Sequence, residues 1–314
     1  MIITTPVYPD ADFCLNETTP GGSASVTLWW SNVPSLPGEK IGVIGGFTGN
    51  DPAATAAVLA EGERLLREQG CTLAVGPMDG NTWRKYRLVT DAGTEPPFLL
   101  EPTNPAEWSD WWRAGGFGPL AEYYSTASDD LTTRDPRLAG VRARLAKAGV
   151  VIRKLDTDCF EAELEKIYEV SVVSFQENYL YTPLPKPAFL GQYAGIRERV
   201  RPELVLLAEH EGRPVGYVFA LPDYAQAGRG VPVDTFIVKT LAVLPGRAWA
   251  GLGALLLGEV HEAALQLGFK RVIHALMHES NTSRNLSSHY AQTIRRYTLF
   301  SKRLAPASAA EVVL

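Results

Sequence analysis

The chain has 314 residues, of which 46% are hydrophobic, so it is long enough and apolar enough for two folded domains. This composition excludes an intrinsically disordered protein. The formal net charge of −5 argues against nucleic acid as a partner, because binding to a phosphate backbone depends on clustered Lys and Arg.

The sequence predicts neither a secretory signal nor a membrane segment. The N-terminus, MIITTPVYPDADF, has no basic start and no uninterrupted apolar core. Cys14, Cys71 and Cys159 lie far apart and form no CxxC pair, so neither a metal site nor a disulfide framework is predicted. We therefore expect a cytoplasmic protein with free thiols and no membrane partner.

The sequence of the first half predicts several strands and one long helix. The helix has a start signal at Asn50, Asp51 and Pro52 and a stop signal at Gly70. In chain order, the pattern predicts elements at residues 24–30 (strand), 39–46 (strand), 52–70 (helix), 71–78 (strand), 105–114 (helix) and 120–125 (strand).

The loop before the long helix reads GGFTGNDP and begins at Gly45. A carboxylate at Asp51 would repel a phosphate, and Pro52 supplies no N–H donor. Asn50 or Asp51 as an N-cap before a proline at the first helical position accounts for the same residues. We predict a capped helix here and no phosphate ligand.

Between the halves, residues 136–148 predict a charged helix that joins or braces two domains. We place the boundary near residue 150. The expected domains are residues 1–149 and 150–314.

The second half predicts a longer series of elements. In chain order they are residues 150–155 (strand), 160–175 (helix), 188–200 (helix), 204–208 and 215–220 (a hairpin), 236–243 (strand), 252–267 (helix), 269–277 (strand), a helix that begins at the run NTSRN, and 296–304 (strand).

The most informative stretch is FIVKTLAVLPGRAWAGLG at residues 236–253, where an apolar strand passes Pro245 and reaches a helix through Gly251 and Gly253. Such a turn presents unpaired backbone N–H groups at the positive end of a helix dipole, which is a site for a phosphate. The alternative is close packing of helix on sheet in a protein that binds nothing there.

The spacing Val243-x-Pro245 followed by Gly251-x-Gly253, with the order of elements around it, resembles the GNAT family of acyl-CoA-dependent N-acyltransferases. The resemblance covers residues 150–304, and the first half repeats part of it. It implies an α/β fold with a mixed sheet and two GNAT-like domains in tandem. The first copy is expected to be degenerate, without its opening strand and two helices.

The resemblance implies an N-acetyltransferase that takes acetyl-CoA as its co-substrate, with no metal. The pantetheine arm would follow the strand and the diphosphate would bind the loop. One departure is Ala248, where the family carries Arg or Gln. The implied cofactor-binding residues are Leu241, Ala242, Val243, Arg247, Ala248, Trp249, Ala250, Gly251, Leu252, Gly253 and Ala254, together with Asn281, Ser283 and Asn285, whose alternative role is helix capping.

Acid–base groups are harder to assign, because the strand before the loop lacks the glutamate that many GNAT members use. His274 is the predicted substitute, since an unperturbed imidazole suits proton transfer; the alternative is a core histidine. Tyr290 is the candidate acid for the leaving thiolate, although it is displaced from the family position, and the alternative is a core or surface aromatic residue.

The acceptor is expected to be a small-molecule amine. Tyr179 and Tyr181 lie in a proline-rich loop between the first two helices of the second half, where the resemblance places the acceptor cleft. A noncatalytic acyl-CoA-binding or structural module is the alternative function, and the sequence leaves monomer or homodimer open.

Overall fold

A computed structural model describes residues 8–133, 135–193, 195–279 and 291–305. Its strands are β1 (Phe13–Thr19), β2 (Gly22–Trp29), β3 (Ile41–Gly49), β4 (Leu73–Gly76), β5 (Leu88–Asp91), β6 (Gly118–Ser128), β7 (Val150–Lys154), β8 (Val205–His210), β9 (Arg213–Pro222), β10 (Thr235–Val243), β11 (Arg271–His278) and β12 (Gln292–Arg303). Its α-helices are α1 (Pro52–Glu68), α2 (Trp108–Ala114), α3 (Arg137–Lys147), α4 (Phe160–Ser174), α5 (Lys186–Tyr193), α6 (Ala225–Gly228) and α7 (Leu252–Gln266).

One mixed sheet runs through both halves of the chain. Its strand order is β1-β2-β3-β4-β12-β6-β11-β10-β9-β8-β7, with β5 paired to β12 beside this path. Two pairs are parallel, β3 with β4 and β10 with β11, and each belongs to a strand–helix–strand crossover through α1 or α7. The expected α/β class with a mixed sheet is confirmed.

Each half supplies its last strand to the other at the centre of this sheet. β6, from the first half, lies between β11 and β12, and β12, from the end of the chain, lies between β4 and β6. The strand predicted at residues 296–304 is present as β12, but it does not pair with the neighbouring strand β11 of its own half. β6 already occupies the edge of β11, so the last strand pairs on the far side of β6 instead.

Buried polar contacts join the halves at the exchanged strands. Arg295 on β12 donates to both carboxylate oxygens of Glu101, at 2.7 and 3.2 Å, and both side chains are under 5% exposed. Tyr297 donates to the same carboxylate, and its hydroxyl also lies 3.0 Å from that of Ser125 on β6. Because a buried ion pair requires good geometry, these contacts fix β12 in register.

Several element boundaries differ from the sequence expectation. β1 was not predicted, and its pairing with β2 gives the first half an opening hairpin. Consecutive polar residues interrupt the alternation of apolar and polar positions in FCLNETT, so the pattern did not predict a strand there. The helix expected at residues 188–200 ends at Tyr193, and a separate 3₁₀ turn follows at Arg197–Arg199.

Helices cover both faces of the sheet. In the second half, α7 and α3 lie on one face and α4 and α5 on the other. In the first half, α1 and α2 cover one face, while the other face receives Leu180 from the loop after α4. No helix within the described ranges is both long and apolar enough to cross a membrane.

Candidate active site

The site begins where β10 and β11 separate. They pair from Thr235 with Arg271 to Val238 with His274, and beyond that point β11 stays paired with β6 and β10 with β9, but not with each other. Among the residues that the structure describes, the edge of β10 that faces away from β9 therefore has no strand partner at residues 240–243. Backbone N–H and C=O groups on such an edge can pair with an amide-containing ligand that lies in the gap.

At the far end of β10 the chain enters α7 through Gly251, whose φ of 81° is in the left-handed region. No side chain in the described part of the chain caps this helix. The first N–H groups of a helix have no intrahelical partner, so Leu252, Gly253 and Ala254 present theirs at the positive end of the dipole. The predicted combination of strand, glycine turn and helix N-terminus is present.

The two glycines of the turn are required for different reasons. A Cβ on Gly251 would lie 3.0 Å from a methyl group of Val141 on α3, and its positive φ disfavours any side chain. A Cβ on Gly253 would make only ordinary contacts, at 3.7 Å from Leu241 and Val243. Packing therefore explains Gly251, whereas packing does not require glycine at 253.

The connecting helix α3 packs against this turn. Arg144 on α3 donates to the carbonyl oxygens of Ala248, at 3.2 Å, and Ala250. Its guanidinium brings a positive charge to the loop where Ala248 stands in place of the family's Arg or Gln. Sequence analysis missed this residue because it lies 104 positions from Ala248.

Other predicted loop and strand residues differ in their surroundings. Arg247 and Ala248 are exposed on the loop, while Trp249 packs edge-on against His210 with ring centroids 5.3 Å apart. On β10, Ala242 is buried in the core, and Leu241 lines the cavity that begins in the gap.

Two adjoining cavities, of about 710 and 620 Å³, open beside the gap. Both contain residues of the two halves, and Trp83 of the first half donates from its indole nitrogen to the carbonyl of Thr182 at 2.7 Å. Tyr179 and Tyr181 both line the larger cavity, so the structure places these two predicted residues together. Lys239 lines both cavities.

Lys239 is the ionisable residue that sequence analysis overlooked. It lies at a bulge in β10, where the register with β9 shifts between Val238 and Thr240, and such bulges redirect side chains. Burial, assisted by the positive charge of Arg87, lowers the pKa of Lys239 to about 8. The sequence did contain one signal for this residue: Lys239 is the single Lys in the strand where the resemblance places a glutamate base.

The two histidines of β11 have different environments. His274 is 7% exposed, and burial together with His261 lowers its pKa to about 3. It borders the larger cavity, but an imidazole with this pKa would not titrate near neutrality, so its catalytic role stays a prediction that the structure does not favour. His278 lies between the rings of Tyr123 and Tyr179, at 4.9 and 5.8 Å, and burial lowers its pKa as well.

Four predicted residues lie outside the described part of the chain. They are Asn281, Ser283 and Asn285, predicted to contact the cofactor, and Tyr290, predicted to protonate the thiolate. Their roles stay predictions.

The corresponding turn of the first half is arranged differently. Asp51 caps α1 by accepting a hydrogen bond from the N–H of Ala54 at 2.7 Å, and Pro52 occupies the first helical position. The capping interpretation is confirmed. A Cβ on Gly45 would lie 1.9 Å from the carbonyl oxygen of Met78, and Asp79 accepts from the N–H of Gly46, so the chain after β4 fills the gap beside β3.

Residues 164–287 match the model of the acetyltransferase (GNAT) family. This match lies within the second half of the chain, and the resemblance stated from the sequence is confirmed. The fold is similar to that of a GCN5-related N-acetyltransferase from Sphaerobacter thermophilus, with a TM-score of 0.51 and 14% identity over 93% of this chain and 80% of that one. The similarity thus extends over both halves.

Two curated relatives share sequence with the chain. A bacterial ceramide synthase from Caulobacter vibrioides is 24% identical over 230 residues, which is 71% of this chain and 60% of the relative. Protein YghO from Escherichia coli is 22% identical over 205 residues, which is 63% of this chain and 52% of the relative. The matches span little more than half the length of each relative.

No group of three or more potential metal ligands occurs among the described residues.

Proposed function

We propose that the protein is an acyl-CoA-dependent N-acyltransferase that transfers an acetyl group from acetyl-CoA to the amine of a small molecule. The observation that carries this proposal is the gap between β10 and β11, which opens beside the uncapped N-terminus of α7. An extended arm with amide groups fits the free edge of β10, and a diphosphate fits the helix N-terminus.

The acyl thioester would then lie at the inner end of the gap, where β10 bulges at Lys239. The acceptor would enter through the cavities that contain Tyr179 and Tyr181, so residues of both halves would surround it. This arrangement separates the donor, bound by the second half, from an acceptor site built by both halves.

In the reaction, the amine nitrogen forms a bond to the thioester carbonyl carbon, and the carbon–sulfur bond breaks to release CoA thiolate. The nitrogen must lose one proton, and the thiolate must gain one. We assign the first transfer to neutral Lys239, because a pKa of about 8 leaves a useful fraction of the amine unprotonated near neutral pH. His278, in the same cavity, is the second candidate for proton transfer.

The relatives bear on the choice of substrates. A ceramide synthase joins an acyl group to a long-chain amino alcohol, which is amide formation of the kind proposed here, so long-chain acyl-CoA and amino alcohols belong in the test. The aromatic cavity walls are compatible with an apolar portion of either substrate.

The test is a thiol-release assay on the full chain, with acetyl-CoA or palmitoyl-CoA and a panel of amino acids, amino sugars, polyamines and long-chain amino alcohols. We expect amine-dependent thiol release with acetyl-CoA and a product heavier than the amine by one acetyl group in mass spectrometry. Preference for palmitoyl-CoA would retain the reaction class and correct the donor. CoA binding without thiol release from any amine would contradict the proposal and favour a noncatalytic acyl-CoA-binding module.

A further inference from the structure

Arg87 lies directly before β5 and is buried, with 7% of its surface exposed. Its φ of 67° lies in the left-handed region, which few residues with side chains adopt. Within the described ranges, its Nε and Nη1 atoms are buried and have no hydrogen-bond partner. Leaving charged donors buried and unpaired is costly, so a native structure that does so usually has a reason at that place.

Two tyrosine rings hold the guanidinium in place. Its central carbon lies 3.9 Å from the ring centroid of Tyr86 and 4.0 Å from that of Tyr123. Stacking between aromatic faces stabilises a cation and restricts its rotation. The charge of Arg87 is therefore fixed in position without being neutralised by these neighbours.

The carboxylate that lines the same 620 Å³ cavity does not neutralise Arg87. That residue, Glu101, accepts hydrogen bonds from Arg295 and from the hydroxyl of Tyr297. Residues 280–290, which follow the neighbouring strand β11 in sequence, contain no Asp or Glu. Among the described residues, Arg87 forms no ion pair, and the same cavity is also lined by the cationic side chains Arg84, Lys85 and Lys239.

We propose that Arg87 binds an anionic group of the acceptor, a carboxylate or a phosphate, while the acceptor's amine is acylated beside Lys239. A planar guanidinium binds either anion through parallel N–H donors. This inference rests on the proposed N-acyltransferase function and narrows its substrates to amines that carry an anion. It distinguishes the acceptor from a long-chain amino alcohol that carries no anionic group.

Paired acceptors test this inference. L-Phenylalanine is compared with L-phenylalaninamide, and O-phosphoethanolamine with ethanolamine, on the wild type, Arg87→Met and Arg84→Met. Arg84 lines the same cavity but is already paired with Asp10 at 2.8 Å, so its variant is the matched control. Methionine retains the apolar stem between the tyrosine rings, and unchanged CoA affinity by calorimetry verifies that each variant is folded.

We expect the wild type to prefer the anionic member of at least one pair by about tenfold or more in kcat/KM. Arg87→Met should abolish that preference by lowering kcat/KM for the anionic acceptor, whereas Arg84→Met should retain it. The pair that shows the preference identifies the anion as carboxylate or phosphate. Equal rates within both pairs, or a preference unchanged in Arg87→Met, would overturn the inference while leaving the N-acyltransferase function intact.

A binding measurement separates this inference from the reaction itself. Phenylacetate and inorganic phosphate carry the anion without an amine, and each is titrated into the CoA-saturated wild type and Arg87→Met. Binding of either anion that Arg87→Met loses supports the site even if no amine is acylated. Binding that both proteins share equally, or that neither shows, refutes the site.

Discussion

The two halves of the sheet differ most at one equivalent position. Gly45 lies four residues after Ile41, the first residue of β3 paired in parallel, and Lys239 lies four residues after Thr235, the first such residue of β10. The backbone carbonyl of Met78 closes tightly over Gly45, whereas Lys239 extends into an open gap.

The helices that follow β3 and β10 differ in the same way at their N-termini. Asp51 occupies the cap of α1 with a carboxylate, while Gly251 leaves α7 uncapped. One copy of the motif has used its free backbone groups internally, and the other leaves them free for the ligand proposed above. A repeated fold can thus retain its sheet and crossover helix while only one copy keeps the features that suit a substrate.

The largest effect is expected where the exchanged strands join the halves. Arg295→Gln should lower the free energy of unfolding by about 3–5 kcal/mol, because it leaves the carboxylate of Glu101 buried without its charged partner. Arg296→Gln, at the next residue of β12, removes an exposed pair with Glu279 and should cost at most about 1 kcal/mol. Urea denaturation measures both. Equal losses would show that the halves do not depend on this contact.

The next test compares equivalent positions of the two helix N-termini. Gly253→Asp should weaken CoA binding at least about 100-fold, because it places a negative charge where the diphosphate approaches. Ala53→Asp makes the same change at the second residue of α1 and should leave the affinity unchanged. Gly251 is unsuitable for this purpose, since its substitution strains the backbone. Calorimetry should find one CoA per chain; two equivalent sites would refute the contrast between the halves.

The dependence of the rate on pH tests whether Lys239 acts as the proton acceptor in the open gap. Its pKa is lowered to about 8 by burial and Arg87, so the neutral, proton-accepting form increases as pH rises through about 8. The rate at saturating substrates should rise through this pH and then level off. In Lys239→Met this rise of the rate with pH should be absent, and kcat at pH 9 should be about 100-fold lower. If the variant still shows the rise of the rate with pH, His278 becomes the candidate proton acceptor, and His278→Gln is tested in the same way.

The smallest expected effect concerns the closed gap. Gly45→Ala should destabilise the protein by about 1–3 kcal/mol, because its Cβ would overlap the carbonyl oxygen of Met78. Gly118→Ala, on β6, adds a methyl group to open space and should change stability by no more than about 0.5 kcal/mol. Thermal denaturation of both variants measures this difference. A stable Gly45→Ala protein would mean that the gap of the first half can open.

The elements were predictable wherever local patterns determine them. The hydrophobic period of α7 and the glycines around it define the helix from sequence, and the Asp51-Pro52 pair correctly predicts a capped start for α1. The exchange of β6 and β12 was not predictable, because strand order depends on which edge is free in three dimensions and not on local periodicity.

The site was predictable only in part, for a similar reason. The glycine turn and the tyrosines of the cavity follow from local motifs and family order. Arg87, Arg144 and Glu101 reach the site from distant parts of the sequence, and nothing near them in sequence indicates a ligand. Lys239 lies in the strand where a carboxylate base was expected, and its lowered pKa depends on burial that a sequence does not state.

The position of β12 has a consequence for the synthesis of the protein. β4 and β6 receive their shared neighbour only after residue 303 has been translated and has left the ribosome, so the first half cannot complete its sheet before the second half has been synthesised. Until then both strands expose hydrogen-bonding edges that other chains can pair with. The nascent chain therefore needs either rapid completion or a chaperone to protect these edges.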